Sequence, residues 1–249
     1  MKMNVDIKKV ITIAKEASVA VMEIYNTNFD VEYKEDSSPL TIADLKANEI
    51  ICNSLLKLYP KIPILSEETK VSDYSDRKKW EYLWVIDPID GTKEFVKKTG
   101  EFTINIALVQ NGVPILGVVY APAIDVLYYA QKGYGAFKNS TSIPFKRDDN
   151  KYLVVASVSH LSDETKKYIE NIKTSKIKET TSMGSSLKLC LVASGEADIY
   201  PRFAPTSEWD TCAAHAIVLE CKKDVVDAYT NKTLVYNKEN ILNPFFIVK

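Results

Sequence analysis

Two aspartates, Asp87 and Asp90, close an apolar run in the segment WVIDPIDGTKEF (84–95). Residues three apart on an extended strand face opposite sides, so these carboxylates cannot cooperate on regular strand backbone. Pro88 ends ladder pairing and Gly91 permits a positive φ, so DPID reads as a turn at a strand's end. Such a turn brings both carboxylates and the Ile89 carbonyl to one point. Burying acids beside Trp84, Val85, Ile86 and Ile89 is costly unless something offsets their desolvation. Two carboxylates and a carbonyl are hard oxygen donors, and they suit a hard divalent cation, Mg²⁺ above all. The competing explanation is an ordinary surface turn, in which Asp, Pro and Gly are common.

Further acids favour the cation. SEE (66–68) follows the apolar run IPIL and supplies Glu67 and Glu68. EWDT (208–211) puts Asp210 just before the apolar stretch TCAAHAIVLE, where a plain helix N-cap is the alternative role. Acids at the ends of three apolar elements, converging on one pocket, over-concentrate charge without cations. An EF-hand loop needs acids at its first, third and fifth positions with Gly sixth, whereas Gly91 comes fifth. The spacing DxDxT of aspartyl-phosphate phosphatases is also absent, because two residues separate Asp87 from Asp90. A paired-carboxylate glycosidase has no need of Gly-Thr directly after the second acid. Gly91 and Thr92 open TKEFVKK, a candidate helix whose first amides would seat a phosphate. Cations beside such amides describe metal-assisted phosphoryl transfer to water.

The elements that must position these residues fall into two halves. Residues 4–26 and 41–59 carry helical spacing of apolar residues. Strand-like runs follow at 62–66, 82–87, 102–109, 113–121 and 126–131, punctuated by Gly112, Pro122, Gly133 and Gly135. FKRDDNK (145–151) is the most polar joint. It divides an α+β metal-binding half, 1–145, from an α/β substrate-binding half, 146–249, in which YLVVAS, DETKKYIENI, SLKLCLVASG, ADIYP, TCAAHAIVLE and DVVDAY alternate between strand and helix.

Composition narrows the function classes. The 249 residues are 46% hydrophobic and carry a formal net charge of −1, without the clustered base of a nucleic-acid binder. No apolar run reaches the roughly 18 residues of a membrane-spanning helix, and the N-terminus lacks a signal peptide's apolar centre. The four cysteines, Cys52, Cys190, Cys212 and Cys221, form no CxxC pair and read as buried small hydrophobes in a reducing compartment. A cytoplasmic protein is expected, with loose association to a membrane surface left open. Only two histidines, His160 and His215, are present, which disfavours a zinc site. His215 reads as a core histidine.

SEE, WVIDPIDGTKEF and EWDTCAAHAIVLE resemble, in order and spacing, the motifs of the lithium-sensitive, Mg²⁺-dependent phosphatases related to inositol monophosphatase. The likeness runs from about Leu40 to Asn243 and implies the layered αβαβα sandwich of these enzymes. GTKEF, GSSLKLCLVASGEADIYPRF and LNPFF resemble the bacterial 3′(2′),5′-bisphosphate nucleotidases within that superfamily. The resemblance implies hydrolysis of adenosine 3′,5′-bisphosphate, a by-product of sulfate activation, to AMP and phosphate through a metal-activated water. It implies two or three Mg²⁺ held by Glu67, Asp87, the Ile89 carbonyl, Asp90 and Asp210. Thr92, with Glu67 or Asp44, is implied to orient the water; Asp44 has an alternative role in a capping box with Thr41. The substrate is implied to rest on Gly91, Thr92, His160, Ser185, Lys188, Arg202 and Asp210. Without the resemblance, Arg202 reads as a snorkelling surface residue and Lys188 as a solvated helix position. The partner expected is a small nucleotide rather than a nucleic-acid polymer, with room for a homodimer. An inositol or sugar phosphatase with the same metal site, and a non-catalytic phosphometabolite-binding protein, are the alternatives.

Overall fold

The computed structural model describes residues 5–33, 39–147, 150–156 and 162–249. In chain order the elements are α1 (Ile7–Tyr25), β1 (Glu32–Tyr33), β2 (Pro39–Leu40), α2 (Ile42–Leu58), β3 (Ile64–Ser66), α3 (Tyr74–Arg77), β4 (Tyr82–Asp90), α4 (Thr92–Val96), β5 (Thr103–Gln110), β6 (Val113–Ala121), β7 (Val126–Gln131), β8 (Gly135–Lys138) and β9 (Thr141–Ile143). Then come β10 (Lys151–Ala156), α5 (Asp163–Asn171), β11 (Ile177–Ser182), α6 (Leu187–Ala193), β12 (Tyr200–Arg202), α7 (Glu208–Glu220), β13 (Val225–Asp227) and β14 (Phe246–Val248).

Strands β3 to β9 form one sheet in sequence order, with β3 parallel to β4 and every later pair antiparallel. Alternation along its strands sorts side chains to two faces. Trp84, Ile86, Ile104, Ile106 and Val118 pack on one side with Val10, Ala14 and Val21 of α1 and Ala47 and Ile51 of α2. Leu83, Val85, Ala107, Val109 and Val119 pack on the other with Leu189 and Val192 of α6 and Ala213, Ile217 and Val218 of α7. There α7 lies so close to β6 that a Cβ at Gly117 would collide with the Ala213 carbonyl. Only glycine fits that crossing.

Beyond α6 and α7 lies a second strand layer, with β10 parallel to β11 and β12, β14 and β13 antiparallel in that order. A parallel bridge between Val154 and Ile199 joins the two groups. Val154, Ile199, Val226 and Ile247 cover its outer face together with Tyr168 and Ile169 of α5. Helices, sheet, helices, strands and helix therefore make an αβαβα sandwich, as the motifs imply. One core cluster runs from Leu65 and Leu83 through to Phe246 and Val248, so apolar packing crosses the joint at 145–151. No helix among the described residues is long and apolar enough to cross a membrane.

Candidate active site

At the end of β4 the ladder slips. Asp87 pairs with Asn105 and Asp90 with Thr103, so Pro88 and Ile89 stand opposite the single residue Ile104. The expected turn over DPID is therefore a bulge inside a strand that continues to Asp90. A bulge inserts one residue and shifts the pleat by one, which returns Asp87 and Asp90 to a common side. Pro88 is tolerated because a bulge is where a strand can spare an N–H. Gly91 then adopts φ +90, a left-handed conformation natural only to glycine, and turns the chain into the short α4.

Two other acids arrive by one local device. Thr41 caps α2 and Ser207 caps α7, each in a capping box whose third helical residue is the acid: Asp44 in α2, Asp210 in α7. Asp210 is thus not the N-cap itself. One oxygen of each carboxylate closes the box, on the Thr41 amide at 2.8 Å and on the Ser207 amide at 2.9 Å. For Asp44 the capping role and the site role coexist, since its second oxygen lies 3.4 Å from Thr92 Oγ1. Thr92 Oγ1 also lies 3.3 Å from the Ile89 carbonyl.

Glu67, Asp87, Ile89, Asp90 and Asp210 line a cavity of about 250 Å³, and Gly91, Thr92, Ser185, Lys188 and Arg202 line the same cavity, together with Lys93 and Glu94. The structure brings together all of these expected residues. Asp44 joins through Thr92, and His160 lies outside the described residues. His215 is fully buried on α7 and holds Tyr236 Oη at 2.9 Å and Asp224 Oδ1 at 3.0 Å, as a core histidine would.

The acids and the lysine of this cavity are shifted in opposite directions. Burial, followed by repulsion from Glu67, Asp90, Asp210 and Asp44, lifts the Asp87 carboxyl well above the usual range. Desolvation and then Asp90 push Asp210 up to about 8. In the same cavity, burial pulls Lys188 down to about 8, against the attraction of Asp90. The Arg202 Nε and Ser185 Oγ are buried without a hydrogen-bond partner, and Ser185 holds a left-handed φ of 46°. An arrangement of repelling acids fits a bound cation, and unpartnered donors lining the same cavity fit an anion. Among the described residues no group of three Asp, Glu, His or Cys side chains is already set as a coordination cage. The chemistry of the donors, rather than a closed geometry, is what fits a divalent metal.

Sequence reasoning missed several residues of this site. Asn105 and Ser186 are each 1% exposed and contact Asp90, while Tyr200 and Phe246 line the cavity. Asn105 left a signal: it is a lone amide within the apolar strand TINIALV.

A sequence profile of the inositol monophosphatase family matches residues 3–244. The chain belongs to the inositol monophosphatase family. Its relatives include the 3′(2′),5′-bisphosphate nucleotidase CysQ of Salmonella typhimurium, 46% identical over 97% of this chain and 98% of that protein. The same-named protein of Escherichia coli K12 is 44% identical over 96% of this chain and 98% of its own length. Among solved structures of the family, CysQ from Bacteroides thetaiotaomicron has a TM-score of 0.88 at 44% identity, covering 97% of this chain and 96% of that one.

Proposed function

We propose that this chain is a 3′(2′),5′-bisphosphate nucleotidase that hydrolyses adenosine 3′,5′-bisphosphate to AMP and phosphate with Mg²⁺, two or three ions per site. The observation that carries this reading is a single cavity lined both by a cluster of acids and by the cations Lys188 and Arg202. A monophosphate needs only the first; a second, non-reacting phosphate gives Lys188 and Arg202 a purpose.

Glu67, Asp87, the Ile89 carbonyl, Asp90 and Asp210 would hold the cations. When bound, Mg²⁺ supplies charge neutralisation at the phosphoryl oxygens and lowers the pKa of the attacking water. The remaining work belongs to the chain. Thr92 Oγ1 carries one proton, which it gives to Asp44 Oδ1 or to the Ile89 carbonyl, so its lone pairs accept a hydrogen bond from the water and fix its direction. Asp44, anchored by Thr41 through its other oxygen, keeps Thr92 in that orientation. Arg202 presents a planar guanidinium to the 5′-phosphate, and a phosphate beside Lys188 favours the charged form that burial disfavours. Residues 1–145 on this reading supply most of the metal site, and residues 146–249 supply the nucleotide seat and Asp210. The four free cysteines support a cytoplasmic enzyme.

A phosphate-release panel tests the proposal. Adenosine 3′,5′-bisphosphate and its phosphosulfate analogue should be the preferred substrates, with inositol 1-phosphate and fructose 1,6-bisphosphate poor ones and EDTA abolishing all release. A preference for inositol 1-phosphate would reject the nucleotidase and leave a metal phosphatase.

A further inference from the structure

Ser186 occupies the N-cap position of α6, yet its side chain makes no capping bond. A serine there ordinarily accepts from a helix amide two or three residues on. Here the hydroxyl is turned away from its own helix. Its Oγ lies 2.6 Å from Asp90 Oδ2, 2.7 Å from the Asp210 carbonyl and 2.9 Å from Asn105 Nδ2. Asn105 Nδ2 is in turn 3.3 Å from Asp90 Oδ2. These contacts join β4, β5, α6 and α7 at one buried hydroxyl.

We propose that Ser186, supported by Asn105, is a positioning residue that fixes the Asp90 carboxylate for cation binding and locks it to the start of α7. This rests on the reading of Asp90 as a metal ligand. The hydroxyl has one proton and two acceptors, and the charge-assisted bond to the carboxylate is the stronger. Asn105 donates to the hydroxyl and lies within reach of the same carboxylate oxygen, so Asp90 Oδ2 keeps a donor when Ser186 turns toward the Asp210 carbonyl. One oxygen of Asp90 is thereby held in place, and the backbone of Asp210, the acid from the second half of the chain, is held at a fixed offset from it. A ligating carboxylate whose orientation is preset loses less freedom on binding a cation, and removal of such outer hydrogen bonds weakens metal affinity about 10–100-fold.

The test is Mg²⁺ titration calorimetry on the substrate-free protein, with Tm measured in EDTA alongside. Ser186→Ala should bind Mg²⁺ about 10–100-fold more weakly than wild type. Asn105→Thr, which removes the supporting amide, should show a smaller loss. A merely structural role would lower Tm in EDTA and leave Mg²⁺ affinity unchanged, and that outcome overturns the proposal. If Ser186→Ala does not fold, Asn105→Thr decides alone, and wild-type affinity in it counts equally against the proposal. Failure of the underlying reading looks different: wild type itself would bind no Mg²⁺ and release no phosphate.

Discussion

Glu208 and Asp210 stand two residues apart in the first turn of α7, and the fold treats them in opposite ways. Glu208 is fully buried and accepts from the Asn237 amide at 2.6 Å, the Lys238 amide at 2.9 Å and Lys238 Nζ at 2.6 Å. Asn237 is itself held by Arg77, whose Nη1 donates to its Oδ1 at 2.8 Å. Every demand of the Glu208 carboxylate is met from within the chain. Asp210 receives one capping bond from Ser207, while burial, followed by repulsion from Asp90, pushes its carboxyl up to about 8. A buried carboxylate surrounded by donors is part of the scaffold, whereas one surrounded by other carboxylates is waiting for a ligand.

The contrast is most easily broken at Asp87, whose carboxyl is pushed well above the usual range by burial and then by four neighbouring acids. Asp87→Asn should reduce turnover at saturating Mg²⁺ at least about a thousandfold, roughly 4 kcal/mol of transition-state stabilisation. Stability in EDTA should hold or rise, because a repelled charge is gone. Near-normal turnover would remove this acid from the reaction.

Glu208→Ala should do the reverse. It strands the Lys238 ammonium and two amides, so chemical denaturation should show a loss of about 3 kcal/mol whether or not Mg²⁺ is present. A stability change that Mg²⁺ cancels would place Glu208 with the site acids instead.

Among the cations of the cavity, Arg202→Ala should lower kcat/KM for adenosine 3′,5′-bisphosphate about ten- to a hundredfold, the loss of a charge-assisted hydrogen bond. The change should fall mainly in KM, and 3′-AMP, which has no 5′-phosphate, should be nearly unaffected. Equal losses on both substrates would mean that Arg202 supports the fold or the reacting phosphate.

The contrast can also be sharpened by pH. The folded pKa of Asp210, about 8, lies above the ordinary 3.8, so the metal-free native state holds this proton more tightly than the unfolded chain does. The stabilisation is complete below about pH 4 and disappears as pH rises through about 8. In EDTA, Asp210→Asn should therefore gain Tm relative to wild type as pH is raised across that window, and Mg²⁺ should reverse the order. A Tm difference independent of pH would mean that neither burial nor the neighbouring acids raise the Asp210 carboxyl in the folded state.

The motifs around Asp87, Asp90, Glu67 and Asp210 were legible in the chain because each lies at the end of an apolar run, where a buried acid stands out. Helices α1, α2 and α7 were legible for a similar reason: apolar periodicity is local, and so are capping signals. The strand β11 was not, because IKETTS is polar and finds its place only by pairing with β10. The terminal β14 also escaped, its three residues being too short for a periodic signal. The bulge was misread as a turn, since Pro88 and Gly91 license both, and only pairing with Asn105 and Thr103 distinguishes them. By itself the sequence determined which acids exist, which helices deliver Asp44 and Asp210, and that hard oxygen donors and flanking glycine suit a metal-bound phosphate. Tertiary structure alone decided that Ser186 would leave its helix cap for Asp90 and that Glu208 would be satisfied while Asp210 is not. Those outcomes depend on partners 81, 96 and 29 positions away in the chain, and no local pattern of residues encodes a contact made at that distance.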